Sequence, residues 1–122
     1  MSLEVAIEQL HTNIYVVKPN GSIDSETHVK FKQSLNPILD MNPKVIVFDM
    51  ADVSYITSMG LSAIINTKKV MERKDGKVFL TDFQTSVKKV FEMVKAIPHE
   101  SIFFDMKELE DHLKTSGEVT DS

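Results

Sequence analysis

The chain has 122 residues and carries 14 Lys plus Arg against 18 Asp plus Glu, a formal charge of −4. That length supports one core without metal or disulfide staples, and hydrophobic and charged contents of 42% and 26% exclude fibrous and wholly disordered classes. The absence of cysteine removes thiolate nucleophiles, cysteine zinc sites and disulfides, while a pI near 5.5 speaks against a protein that grips a nucleic-acid backbone.

Leu3, Val5 and Ile7 alternate with Glu4, Ala6 and Glu8, and Ile14 to Val17 follows the turn-like His11-Thr12-Asn13, which predicts an antiparallel hairpin. The mixture of Glu4, Glu8 and Gln9 with apolar residues before Leu10 is unlike a signal peptide. After Pro19-Asn20-Gly21, helical spacing of Phe31, Leu35, Ile38 and Leu39 predicts a first helix from Asp24 to about Leu39, capped by Asp24 or Ser25. Pro37 is expected to kink or stop its last turn, because proline lacks an N–H and crowds the preceding turn.

Val45 to Phe48 is a continuous apolar run between Pro43 and Asp49, the pattern of a central strand covered on both faces. Leu61, Ile64, Ile65 and Met71 predict a second helix that stops at Asp75-Gly76, before a strand at Val78 to Leu80. Val87, Val90, Phe91 and Val94 form the clearest amphipathic stripe, and Pro98 lies beyond it. Ile102 to Phe104 reads as a short strand; Asp105 with Glu108 resembles a capping box for a last helix faced by Met106, Leu109 and Leu113. The order ββαβαβαβα predicts an α/β fold: a mostly parallel, mixed sheet with an N-terminal antiparallel hairpin and four helices. A single domain is expected over residues 1–114 and a flexible tail over 115–122, where the chain turns small and polar.

Enzyme templates fail on spacing. There is no phosphate-binding G-x-x-x-x-G-K-[ST] loop, His11, His28, His99 and His112 are dispersed, and Ile56 stands where a nucleophile elbow around Ser58 needs glycine. The unusual segment runs from Asp49 to Leu61, out of the central strand and into the second helix. Ser58 can serve as an ordinary N-cap there. The same place offers free N–H groups and the positive end of a helix dipole, so a phosphate on Ser58 is compatible with the fold. Gly60 permits close backbone approach and Met59 suits an adaptable contact surface.

This segment resembles the signature of STAS domains: an Asp ending the central strand, then Asp-Ser-Ser/Thr-Gly-Leu opening a helix, here Asp49 followed by Thr57-Ser58-Met59-Gly60-Leu61. Gly21-Ser22-Ile23-Asp24, Ser86-Val87 with Val90-Phe91, and Phe103-Phe104 extend the likeness over nearly the whole chain. The resemblance implies a bacterial partner-switching protein, an anti-sigma factor antagonist. Unphosphorylated, it binds an anti-sigma factor serine kinase and frees a sigma factor. ATP would be held by that kinase, this chain needing no cofactor or metal, and a serine phosphatase is a further expected partner. Ser58 maps onto the phosphoacceptor. Thr57 replaces the family's Asp and Met59 its Ser or Thr, departures that bear on phosphorylation.

The expected partner face comprises Thr57, Met59, Gly60, Ser62, Asn66, Lys69 and Arg73 with Asp24, because positions 62, 66, 69 and 73 recur on the side of the helix opposite Ile64, Ile65 and Met71. Asp49 is expected to shape the site rather than to catalyse. The chain is expected to be cytoplasmic, a monomer or weak dimer, without direct nucleic-acid contact or membrane insertion. The alternative reading is a free-standing STAS subunit that regulates or scaffolds a membrane transport complex.

Overall fold

A computed structural model describes residues 2–95 and 97–119. The elements run β1 (Leu3–His11), β2 (Ile14–Ile23), α1 (His28–Asp40), β3 (Val45–Asp49), β4 (Val53–Ile56), α2 (Ser58–Arg73), β5 (Lys77–Thr81), α3 (Thr85–Met93), a 3₁₀ turn (His99–Ser101), β6 (Ile102–Phe103) and α4 (Met106–Thr115). The sheet order is β1-β2-β3-β5-β6, with β4 also on β2. Among the described residues only the β1–β2 pair is antiparallel; the other pairings are parallel.

β3 is central, as its unbroken apolar run requires. Ile46 and Phe48 belong to the core beneath α1, α2 and α3, whereas Val45 and Val47 belong to a second core with Leu109 and Leu113 of α4. All four are fully buried, and side chains that alternate across a strand need cover on both faces to achieve this. Burying each such side chain stabilises the fold by about 1.5–3 kcal/mol against leaving it exposed.

The structure departs from the sequence expectation at several boundaries. β2 does not stop at Pro19-Asn20-Gly21 but runs through it to Ile23. Proline is tolerated because β2 has no parallel partner there: β3 pairs it as far as Val17, and β4 takes over from Gly21. Gly21 adopts φ 125°, and a Cβ on it would lie 2.4 Å from the Ser2 carbonyl. β4 was not predicted as a strand; four residues with buried ends and exposed middle positions give too short a pattern.

α1 starts at His28 rather than Asp24. It continues through Pro37 to Asp40, because Pro37 lies on the exposed side of the helix and the carbonyl it leaves free belongs to exposed Gln33. Asp75, not Gly76, takes positive φ at the end of α2. Gly76 is closely surrounded: a Cβ there would stand 2.8 Å from Met71 Cε and 3.1 and 3.2 Å from the Met71 and Lys44 carbonyl oxygens. Val94 falls just beyond α3 and Phe104 beyond β6, both exposed.

The Asp105 cap is present, accepting from the Glu108 N–H at 2.9 Å. In the first part of the expected tail Thr115 closes α4, Gly117 takes φ 84°, and the Glu118 and Val119 N–H groups donate to the Leu113 carbonyl. Residues 120–122 of that expected tail lie outside the described residues.

Candidate functional site

Parallel pairing of Ile23 with Ile56 brings the ends of β2 and β4 together, so the turns leading into α1 and α2 emerge side by side. The Thr57 N–H donates to the Ile23 carbonyl at 2.9 Å, and the Thr57 hydroxyl lies 3.5 Å from the same oxygen. Thr57 is the N-cap by backbone geometry, with φ −101° and ψ 175°, yet its side chain makes no capping hydrogen bond. Ser58 is therefore the first helical residue, one position later than the cap role the sequence allowed it.

The Leu61 N–H bonds the Thr57 carbonyl at 2.9 Å, which leaves the Ser58, Met59 and Gly60 N–H groups ahead of the i to i−4 ladder. Ser58 is exposed, and its hydroxyl has no hydrogen-bond partner among the described residues. Thr57, half-buried and turned toward Ile23, is the less accessible of the two adjacent hydroxyls.

Gly60 is buried because the start of α2 presses onto β2. A Cβ there would stand 2.6 Å from Ile23 Cγ2 and 2.7 Å from the Ile23 carbonyl oxygen. Along the outer side of the helix Met59, Ser62, Asn66, Lys69 and Arg73 are all exposed. Beneath them Leu61, Ala63, Ile64, Thr67 and Met71 are buried.

Asp24, the approach residue expected on this face, is 9% exposed beside it. One oxygen, Oδ1, accepts from the Glu26 and Thr27 N–H groups at 2.9 and 3.1 Å and lies 3.2 Å from the Thr27 hydroxyl. That hydroxyl donates to the Ser22 carbonyl at 2.7 Å. Burial pushes the Asp24 carboxyl up, but the hydrogen bonds from Glu26 and Thr27 outweigh it and hold the group below its ordinary value. Asp24 thus organises the turn next to Thr57.

Asp49 performs a similar task on the other approach. Its Oδ1 accepts from the Ala51 N–H at 3.0 Å and tightens the turn from β3 toward β4. Burial is the main reason its carboxyl is pushed up; the Ala51 N–H and Lys18 oppose that, while Asp82 and Asp52 reinforce it. The Gln84 side chain ties this turn to the β5–α3 connection by donating to the Ala51 carbonyl at 2.9 Å. No hydrogen bond among the described residues joins Asp49 to Ser58.

Sequence reasoning missed Tyr55. On β4, just ahead of Thr57, it is 52% exposed, and Met59 beyond Ser58 is 46% exposed. An aromatic side chain at an outward strand position is the signal that identifies it, and that signal is readable only once β4 is recognised as a strand. Among the described residues no group of acidic and histidine side chains could hold a metal, and no helix is long and apolar enough to cross a membrane.

The STAS domain family model matches residues 6–115. An anti-sigma-B factor antagonist of Staphylococcus epidermidis is 24% identical over 83 residues, which are 68% of this chain and 77% of that protein. An anti-sigma factor antagonist from Mycobacterium paratuberculosis superposes with a TM-score of 0.80 at 18% identity, over 93% of this chain and 95% of that one. The antagonist SpoIIAA in its unphosphorylated form gives a TM-score of 0.77 at 17% identity, over 96% and 100% of the two chains. At these identities the structural likeness speaks for the fold, and with the family model spanning the sheet, the helices and the Ser58 turn, the chain belongs to the STAS domain family.

Proposed function

We propose that this protein is an anti-sigma factor antagonist switched by phosphorylation of Ser58. In the unphosphorylated form its α2 face binds an anti-sigma factor serine kinase and thereby releases a sigma factor. Thr57, Met59, Ser62, Asn66, Lys69 and Arg73 form the contact face; Asp24, Gly60 and Asp49 hold it in place from beneath. The kinase supplies ATP, and a serine phosphatase resets the switch. The observation that carries this reading is the exposed Ser58 hydroxyl, without a partner among the described residues, at the first position of α2 beside exposed Met59 and Tyr55. The names of the similar proteins support the same role.

A phosphate at this position brings about −1.5 to −2 charges at neutral pH and sits beside the N–H groups that precede the helical ladder, where an anion is stabilised. The fold therefore survives and the partner feels the change. Placing that charge in a contact that must desolvate around Met59 costs at least about 1.4 kcal/mol, or tenfold in affinity.

Incubation with ATP and a cognate anti-sigma factor serine kinase should label Ser58, with site assignment by mass spectrometry. Ser58→Asp should lose binding to the kinase and Ser58→Ala should bind without being switched, each with near-native circular dichroism. Labelling of Thr57 instead, or parental affinity in Ser58→Asp, sinks the mechanism. Stable association with transporter components in the absence of any labelling would favour the transport reading.

A further inference from the structure

A groove runs between α3 and the segment that carries the 3₁₀ turn and β6, in two lobes of about 470 Å³ each. Phe83, Phe91, Ile97 and Ile102 supply its apolar lining. Lys88 and Glu92, on successive turns of α3, line both lobes. None of the groove's lining residues belongs to the Ser58 face.

Two features bear on what occupies it. Phe104, 82% exposed and one of the two most exposed large apolar side chains of the described residues, lines one lobe of this groove. A knob and a hole thus lie on the same patch, the requirement for an isologous contact. Furthermore, Lys88 and Glu92 stand four residues apart, a spacing that favours an ion pair. Yet neither has an ion-pair partner among the described residues, whereas Lys68 and Glu72 at the same spacing on α2 are paired at 3.1 Å.

We infer that this groove is a self-association surface, occupied by a second copy of the same chain in a two-fold dimer. When two copies of α3 cross antiparallel about an axis that passes midway between Lys88 and Glu92, Lys88 of each copy faces Glu92 of the other, and Phe104 can enter the opposing groove. A rim of balanced charge matches itself under two-fold symmetry, while a strongly acidic or basic partner would be repelled by half of it. The patch is small, so the dimer is weak, with a dissociation constant on the order of 100 μM.

Sedimentation velocity over a concentration series tests this. The parent protein should shift from monomer to dimer. Phe104→Asp should weaken the dimer at least about tenfold with unchanged circular dichroism, because the ring it removes is already in water. Lys88→Glu and Glu92→Lys should each fail to self-associate, since each places like charges across the axis. An equimolar mixture of the two should form a heterodimer, since one copy then offers two glutamates to the other's two lysines. A parent that stays monomeric up to about 1 mM overturns the inference, whether the groove then proves to take a small apolar molecule or a different protein. So does a mixture of the charge variants that fails to associate, or a Phe104→Asp dimer as tight as the parent's.

Discussion

Replacing Gly60 by alanine adds one methyl group at the tightest point of the site, where a Cβ would lie 2.6, 2.7 and 2.9 Å from Ile23 Cγ2, O and Cβ. Comfortable carbon–carbon contact begins near 3.5 Å, so the start of α2 must move outward by about an ångström. Ile23 cannot yield, because it is fully buried and its carbonyl accepts the Thr57 N–H. Overpacking costs about 1–3 kcal/mol, here about 2–3 kcal/mol because one of the contacts is the Ile23 backbone oxygen, and the better helix propensity of alanine returns up to about 1 kcal/mol. The net loss is about 1–2 kcal/mol, or roughly 3–10 °C in Tm for a domain of this size. Urea unfolding with a constant m-value measures it. If Gly60→Ala unfolds at the parent's midpoint or above, the close approach of α2 to β2 is not as described, and the geometry proposed to present Ser58 loses its support.

Asp24→Asn should destabilise at neutral pH, and the deficit should shrink as pH falls through and below the ordinary carboxylate range, because a depressed carboxyl pKa contributes stability above that range and loses it in acid. Asp49→Asn should show the opposite sign: its carboxyl is pushed up, so the parent loses stability as pH rises through the carboxylate range, and the amide should unfold at an equal or higher urea concentration at neutral pH. Phe48→Ala, which empties a fully buried position beside the Phe31 ring at a centroid distance of 5.9 Å, should cost about 3–5 kcal/mol. Deleting residues 116–122 should cost about 1–2 kcal/mol, because it removes two N–H bonds to Leu113 and the packing of Val119, whereas Lys77→Ala, which removes only the exposed pair with Glu118, should cost under about 1 kcal/mol.

What could be read in the sequence depended on how many residues carried each signal. The β3 run and the faces of α1, α2 and α4 extend over several turns or a whole strand, so the hydrophobic effect writes them redundantly. β4 has only four residues, and its placement comes from partners far away in sequence, Gly21 to Ile23. The continuation of β2 through Pro19 was equally hidden, because it rests on a gap in parallel pairing that no local pattern announces. In the site itself, the outward face of α2 followed from periodicity, and Gly60 from its lack of a side chain. At Asp24, the return of Oδ1 to the Glu26 and Thr27 N–H groups is decided by the turn and could not be read from the residue type.

The one-residue difference between cap and first helical position bears directly on how the proposed switch can work. A serine at the N-cap stabilises its helix by accepting an N–H through its hydroxyl oxygen, and a phosphate there would exchange one structural bond for another, coupling modification to the stability of α2. With Thr57 in the cap position and anchored to Ile23, Ser58 holds no such bond among the described residues. Phosphorylation then removes nothing from the fold and adds charge only to the outer surface, beside N–H groups that tolerate it. The two properties should therefore separate in one experiment: phosphorylated protein should unfold at a temperature equal to or above that of the unmodified protein while its affinity for the kinase falls at least about tenfold. A phosphorylated form that loses affinity only in proportion to a loss of helix α2, followed by hydrogen exchange of its amides, would show the switch to be unfolding of the helix rather than repulsion at its surface.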